Sequence, residues 1–242
     1  MSYLFNIIVK VIDFFYQKKI INFFKNASNL EYDIIVDIGA HKGETISNFL
    51  KNFKIKNIYS FEASSKTFND LVNNVKKIRK KHNKTNIEIF NVAIGNSNEK
   101  KMFNELPDSN SSTFNFIDQS SSYFKRKNKI LSVFFQKKFV IKKNFIFQIK
   151  LSEFIQKNEI KNIDILKIDT EGYELEVIKG LDKDIQLVKF IYFEHHYDNM
   201  IKKNYTFSDI HDFLSINGFQ RVFKIKMPLR KSFDYIYEKK TV

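Results

Sequence analysis

The sequence predicts an α/β fold, an open and mostly parallel sheet with helices on both faces. Three observations predict it. From residue 33 onward, short apolar runs alternate with longer amphipathic ones, the pattern of strands joined by crossover helices. One such run, "DIIVDIG", ends in an acid and breaks into two glycines in a chain that holds only six, which marks a strand-to-helix turn. Finally, 242 residues that are 43% hydrophobic and 16% aromatic can bury one sizeable core and exclude a disordered chain.

Residues 3–25 put Leu4, Ile7, Ile8, Val11, Ile12 and Phe15 at helical spacing. Residues 1–29 therefore read as an amphipathic helical extension and 30–242 as the domain. Lys10, Asp13, Lys18 and Lys19 ring the apolar face, so packing on the domain, a peripheral membrane contact and a dimer contact all fit. "DIIVDIG" is then a strand and "GETISNFLKNF" a helix. "NIYSFEA" is a strand, "SKTFNDLVNNVKKIRKKH" a helix and "NIEIFNVAIG" a strand. Residues 97–150 break this rhythm, being turn-rich at first and then basic with apolar alternation. They read as a variable insertion holding strands or a short helix. The rhythm returns with "LSEFIQKNEI" as a helix, "NIDILKIDTEG" as a strand, "YELEVIKGL" as a helix and "VKFIYFEHH" as a strand. A helix, "TFSDIHDFLSINGF", follows, and the strands "QRVFKI" and "FDYIYEK", joined by "MPLRKS", pair antiparallel.

The formal charge of +14 would ordinarily point to a polyanion. Here lysines are spread along the whole chain, and Lys, Asn, Ile and Phe are abundant throughout, as AT-rich coding would produce, so nucleic acid is disfavoured as a partner. Zero cysteines exclude disulfides, thiolate metal sites and a cysteine nucleophile. No apolar run approaches the ~18 residues of a membrane span, and the N-terminus lacks a basic region and a cleavage site. These features place the protein in the cytoplasm, with the inner face of the membrane open to the N-terminal helix.

The turn after the first strand reads D-x-G-x-x-x-G, with Asp37, Gly39 and Gly43. Glycines there let a ligand approach the backbone, and the next helix presents free N–H groups. The dinucleotide fingerprint G-x-G-x-x-G is matched poorly, because Ala40 and His41 separate the glycines. An acid at the strand end would repel a pyrophosphate and favour a cation. S-adenosylmethionine suits such a turn, its carboxylate toward the helix and its ammonium toward Asp37. Glu62, about 25 residues on, ends the next strand, where an open α/β sheet places an acid against ribose hydroxyls.

"VDIGAHKGE", "YSFEAS", "NVAIGN", "LKIDTEGYELEVIKGL" and "IYFEHH", in this order over roughly residues 31–197, resemble the FkbM family of S-adenosylmethionine-dependent methyltransferases. The resemblance implies a class I methyltransferase (Rossmann-like) fold, a seven-stranded sheet with one antiparallel strand near the C-terminus, and O-methylation of a sugar of a surface polysaccharide or its precursor. It implies Asp37, Gly39, Ala40, His41 and Gly43 at the methionine end, Glu62 at the ribose and Asn91, Val92 and Ala93 beside adenine. His41 departs from the asparagine more common in the family. It is open as a cofactor contact, a substrate contact or a surface side chain.

Further along, Asp169 and Glu171 close a strand on the carboxyl edge, where ligands of open sheets bind. Asp169 is assigned to cofactor and catalysis and Glu171 to substrate, although an acid in a first helical turn is also stabilising by itself. Lys167, on the same strand, needs a carboxylate partner if buried. Glu194, His195 and His196 end the following strand and complete the catalytic candidates, with Asp169 or a histidine as general base and His196 also toward substrate. Alternation puts Glu194 and His196 on one face and His195 on the other, so one histidine meets the substrate. A metal held by Asp169, Glu194 and a histidine has no tight ligand spacing behind it, and no metal is assigned. The expected acceptor is a small molecule or glycan. The competing functions are a nucleic-acid-binding or RNA-modifying protein on the same fold and a noncatalytic relative.

Overall fold

The computed structural model describes residues 2–27, 30–106, 112–135, 140–228 and 230–240, without the side chains of residues 2–11, 131 and 133–135. Helix α1 (Ser2–Asn26) leads into β1 (Glu31–Ile38), α2 (Glu44–Leu50), β2 (Lys54–Phe61), α3 (Ser65–Lys81) and β3 (Asn86–Phe90). Next come β4 (Ala93–Gly95), β5 (Glu99–Glu105), β6 (Phe116–Ile117), α4 (Ser122–Phe135), β7 (Lys142–Lys150) and α5 (Leu151–Lys157). The chain ends with β8 (Ile163–Ile168), α6 (Glu174–Lys179), β9 (Val188–His196), β10 (Ile201–Lys202), α7 (Phe207–Ile216), β11 (Phe219–Lys226) and β12 (Ser232–Lys239), with a 3-10 turn at Asp182–Leu187 before β9.

The main sheet has seven strands in the order β11-β12-β9-β8-β1-β2-β3. Pairing is parallel from β3 to β9. β12 inserts antiparallel between β9 and β11, because the short link after β11 allows only a hairpin. β8 and β9 are buried on nearly every residue and β1 over its last four, as expected of central parallel strands covered on both faces. Helix starts follow local chemistry: Ser64 accepts from the Thr67 N–H at α3, and Thr206 with Asp209 forms a capping box at α7.

The run "NIEIFNVAIG" is two strands rather than the one expected. β3 ends the main sheet, while β4 joins β7 and β5 in a separate three-stranded sheet. Packing forces the break. β4 is clamped between α6 and β7, so a Cβ on Gly180 would lie 1.9 Å from the Gly95 carbonyl oxygen, and one on Gly95 would meet the Gln148 side chain.

The face of α1 that reaches the core also differs from the expected one. Tyr16, Ile20, Ile21 and Phe24 are buried, with the Phe24 ring 5.7 Å from Phe49 and 5.8 Å from Phe190. Ile12 is half-buried and Phe15 exposed; the side chains of Leu4, Ile7, Ile8 and Val11 lie outside those described. Burying each of the Ile and Phe side chains contributes roughly 1.5–3 kcal/mol, which ties the second half of α1 to the sheet. Among the described residues no helix is long and apolar enough to cross a membrane.

Candidate active site

The carboxyl ends of β1, β2, β8 and β9 and the amino end of antiparallel β12 open into one cavity of about 860 Å³. The turn after β1 forms one wall. Gly39 has φ +77°, and a Cβ there would lie 1.9 Å from the Asp169 carbonyl oxygen. The close approach of the Asp169 main chain after β8 therefore requires this glycine. Gly43 caps α2 with φ +88°. At the start of α2 its own Glu44 accepts the Lys42 N–H at 3.0 Å.

Glu62 is fixed in the cavity wall, accepting the His41 N–H at 2.9 Å and the Ser64 N–H at 2.8 Å. Burial raises its pKa to about 7 against the pull of those two amides. His41, with a left-handed backbone (φ +48°), thus acts on Glu62 through its main chain, while its ring lies 3.2 Å from Glu44. Val92 and Ala93 line the cavity. The Asn91 side chain is turned to the β2–α3 connection, where it donates to the Glu62 carbonyl and accepts from Ser65.

Asp37 lies beneath the cavity rather than on its wall. It is 1% exposed, neither carboxylate oxygen has a hydrogen bond, and burial raises its pKa. Its register partner Lys167 does line the cavity, with Nζ 3.5 Å from Asp37 and 3.2 Å from Asp169. Burial works against the lysine charge, and Asp169 and Asp37 outweigh it and raise the pKa. Burial likewise opposes ionisation of Asp169, but Lys167 and His196 hold it below its ordinary value.

The third wall is a carboxylate–imidazole cluster. His196 Nε2 lies 3.1 Å from Glu194 and 3.3 Å from Glu171, and Nδ1 lies 3.4 Å from Asp198. Burial alone would keep the ring neutral; Glu171 and Glu194, with the Asp198 hydrogen bond, push its pKa up to about 10. Glu171 is pushed up to about 8 by burial, with Glu194 and Asp169 adding to it, and burial also raises Glu194. Among the described residues no group of His, Asp and Glu has metal-holding geometry.

His195 departs from its expected catalytic role. It points to the opposite face of β9, 5.7 Å from the Phe207 ring, and does not line the cavity. Burial, with Lys203 3.3 Å away, lowers its pKa to about 3.

Several further residues shape the site. Buried Glu174 accepts the Gly172 N–H at 2.8 Å and the Tyr205 hydroxyl, pinning the turn that holds Glu171 at φ +51°. Tyr192 lines the cavity and, two residues before Glu194 on one strand, was within reach of alternation. Tyr16, Arg230 and Asp234, which also line it, carry no local motif.

The Methyltransferase FkbM domain matches residues 37–221. Over 44 residues, 18% of each chain, the sequence is 39% identical to hexuronic acid methyltransferase AglP of Haloferax volcanii. The fold is similar to that of methyltransferase FkbM from Methylobacillus flagellatus KT (TM-score 0.53, 15% identity, 84% of this chain and 43% of that one). It is also similar to magnesium protoporphyrin IX methyltransferase from Synechocystis PCC 6803 with bound SAM (TM-score 0.54, 10% identity, 96% and 82%). This chain thus covers less than half of the M. flagellatus protein and of AglP. With a class I methyltransferase sheet and a domain match over most of its length, the chain belongs to the FkbM methyltransferase family, whose cofactor is S-adenosyl-L-methionine.

Proposed function

We propose that the protein is an S-adenosylmethionine-dependent O-methyltransferase acting on a hydroxyl of a small polyhydroxylated acceptor, a sugar of a surface glycan or its precursor. The observation that carries the reading is that Glu62, Asp169, Glu171 and Glu194, from three separate stretches of the sequence, line one cavity. The short match to AglP supports a sugar.

The residues present fit the cofactor. Glu62 keeps a second lone pair on each fixed oxygen, which suits ribose hydroxyls, and Val92 with Ala93 offers adenine an apolar wall. Asp169 and Lys167, both in the cavity wall, present opposite charges to a zwitterionic methionine end. Asp37 acts on the site by holding Lys167. When bound, the cofactor supplies a methyl group already activated on a sulfonium, so the chain's main task is alignment.

A hydroxyl acceptor must also lose a proton. Lys167 keeps Asp169 ionised, which makes it a weak base, and His196 already carries a proton among its three carboxylates. Glu194 is the base in this reading. Burial raises its pKa, and its Oε1 sits at ion-pair distance from His196 in the cavity wall. The acceptor hydroxyl gives its proton to Glu194, while His196 offsets the accumulated negative charge and Glu171 orients a neighbouring hydroxyl.

The test is incubation of the protein with methyl-labelled S-adenosylmethionine and a panel of nucleotide sugars and glycans, read by mass. We expect alkali-stable label on a sugar, and a drop in kcat of roughly 10²-fold or more in Glu194→Gln with S-adenosylhomocysteine affinity unchanged. Label confined to RNA would sink the sugar reading, and full activity in Glu194→Gln would sink the assigned base.

A further inference from the structure

Part of the cavity wall comes from elements outside the matched segment 37–221. Tyr16 of α1 and Asp234 of β12 line it together with Tyr192 and Glu194 of β9. Asp234 stands opposite Glu194 in the β12–β9 register and accepts the Tyr192 hydroxyl at 2.9 Å. The Tyr16 side chain is 4% exposed, with its hydroxyl facing Asp234, and Glu194 Oε1 is buried 3.1 Å from His196 Nε2. The phenol and the two carboxylates keep lone pairs free on the cavity wall, which suits a ligand that carries hydroxyls.

The chemistry of the wall selects that ligand. A phenol can donate or accept, whereas ionised carboxylates only accept. A sugar hydroxyl does both, so one or two of them satisfy Tyr16 and the carboxylates together. An anionic ligand group could accept from Tyr16 but would face Asp234 and Glu194 at close range, where like charges repel. Arg230, exposed at the rim, already sits in the field of Glu194, Glu171 and Asp169, so it offers such an anion little surplus attraction.

We propose that Tyr16, Tyr192, Glu194 and Asp234 form the acceptor-recognition subsite, that Tyr16 is its specificity-determining residue, and that it takes an uncharged sugar ring in preference to a uronate. The inference rests on the methyltransferase reading. It makes the N-terminal helix a working part of the site.

The test uses the full chain loaded with S-adenosylhomocysteine and titrated, by saturation-transfer NMR, with methyl glucoside and methyl glucuronide. The glucoside is expected to bind more tightly, and Tyr16→Phe to weaken it by about five- to tenfold, the worth of one hydrogen bond, with S-adenosylhomocysteine affinity unchanged. Glucuronide binding as tight or tighter, unchanged glucoside affinity in Tyr16→Phe, or no transfer to either sugar in the loaded protein would each overturn the proposal. If Tyr16→Phe lowers the thermal midpoint or the cofactor-product affinity, Tyr192→Phe replaces it, and unchanged glucoside affinity there overturns the proposal equally. Failure of the wild type to bind S-adenosylhomocysteine is a separate result. It removes the methyltransferase reading and this inference with it.

Discussion

Replacing Lys167 by Met leaves the hydrocarbon stem in place and removes the ammonium that bridges Asp37 and Asp169. The ammonium lies 3.5 Å from one carboxylate and 3.2 Å from the other, and its side chain is 8% exposed against 1% for that of Asp37. Taking one partner from a buried ion pair costs roughly 3–5 kcal/mol, because the other charge stays behind. Asp37 has no hydrogen bond to soften the loss; it can only take up a proton. At about 2–4 °C per kcal/mol for a chain of this size, the thermal midpoint at pH 8 should fall by about 10 °C. The loss should shrink at pH 5.5. Without the lysine the Asp37 pKa rises further, and a carboxyl with a raised folded-state pKa stabilises below its unfolded value and loses that contribution as pH rises through the folded one. The assay is urea denaturation at both pH values, with Asp37→Asn/Lys167→Met expected to recover most of the stability. A loss under about 1 kcal/mol, or one independent of pH, would refute the view that Asp37 exists to hold Lys167.

Gly39→Ala should cost roughly 1–2 kcal/mol for its left-handed backbone and a further 1–3 kcal/mol for the clash with the Asp169 carbonyl 1.9 Å away. Calorimetry should also show weaker S-adenosylhomocysteine binding; a variant with wild-type stability would contradict the close β1–β8 approach. For the protein without ligand, stability should decline from pH 6 to pH 9. Glu62 and Asp234 titrate at about 7, Glu171 at about 8 and His196 at about 10, all above their unfolded values, so each loses its contribution as pH rises through its folded pKa. A higher urea midpoint at pH 9 than at pH 6 would show that the cluster around His196 is not held as described.

The α/β alternation, the antiparallel C-terminal hairpin and the span of β9 were legible because apolar period and turn residues are local properties. Glu62, Asp169 and Glu194 were legible because a parallel sheet collects its strand ends on one edge. Face and partner choice lay beyond that reading. The split between β3 and β4 depends on the packing of Gly95 against Gly180, and the burial of Tyr16, Ile20, Ile21 and Phe24 depends on the β9 aromatics they meet. Charge state was equally out of reach: a histidine among three carboxylates holds its proton and one beside a lysine sheds it, though the two are adjacent in sequence. Strand order alone sets those distances. Sequence by itself determined which chemistry reaches the carboxyl edge, because periodicity is written residue by residue. Only the tertiary structure decided that Lys167 stands between Asp37 and Asp169, and that the two ends of the chain meet at Tyr16 and Asp234. Those contacts join residues with no local signal, and electrostatic energies depend on separation in space.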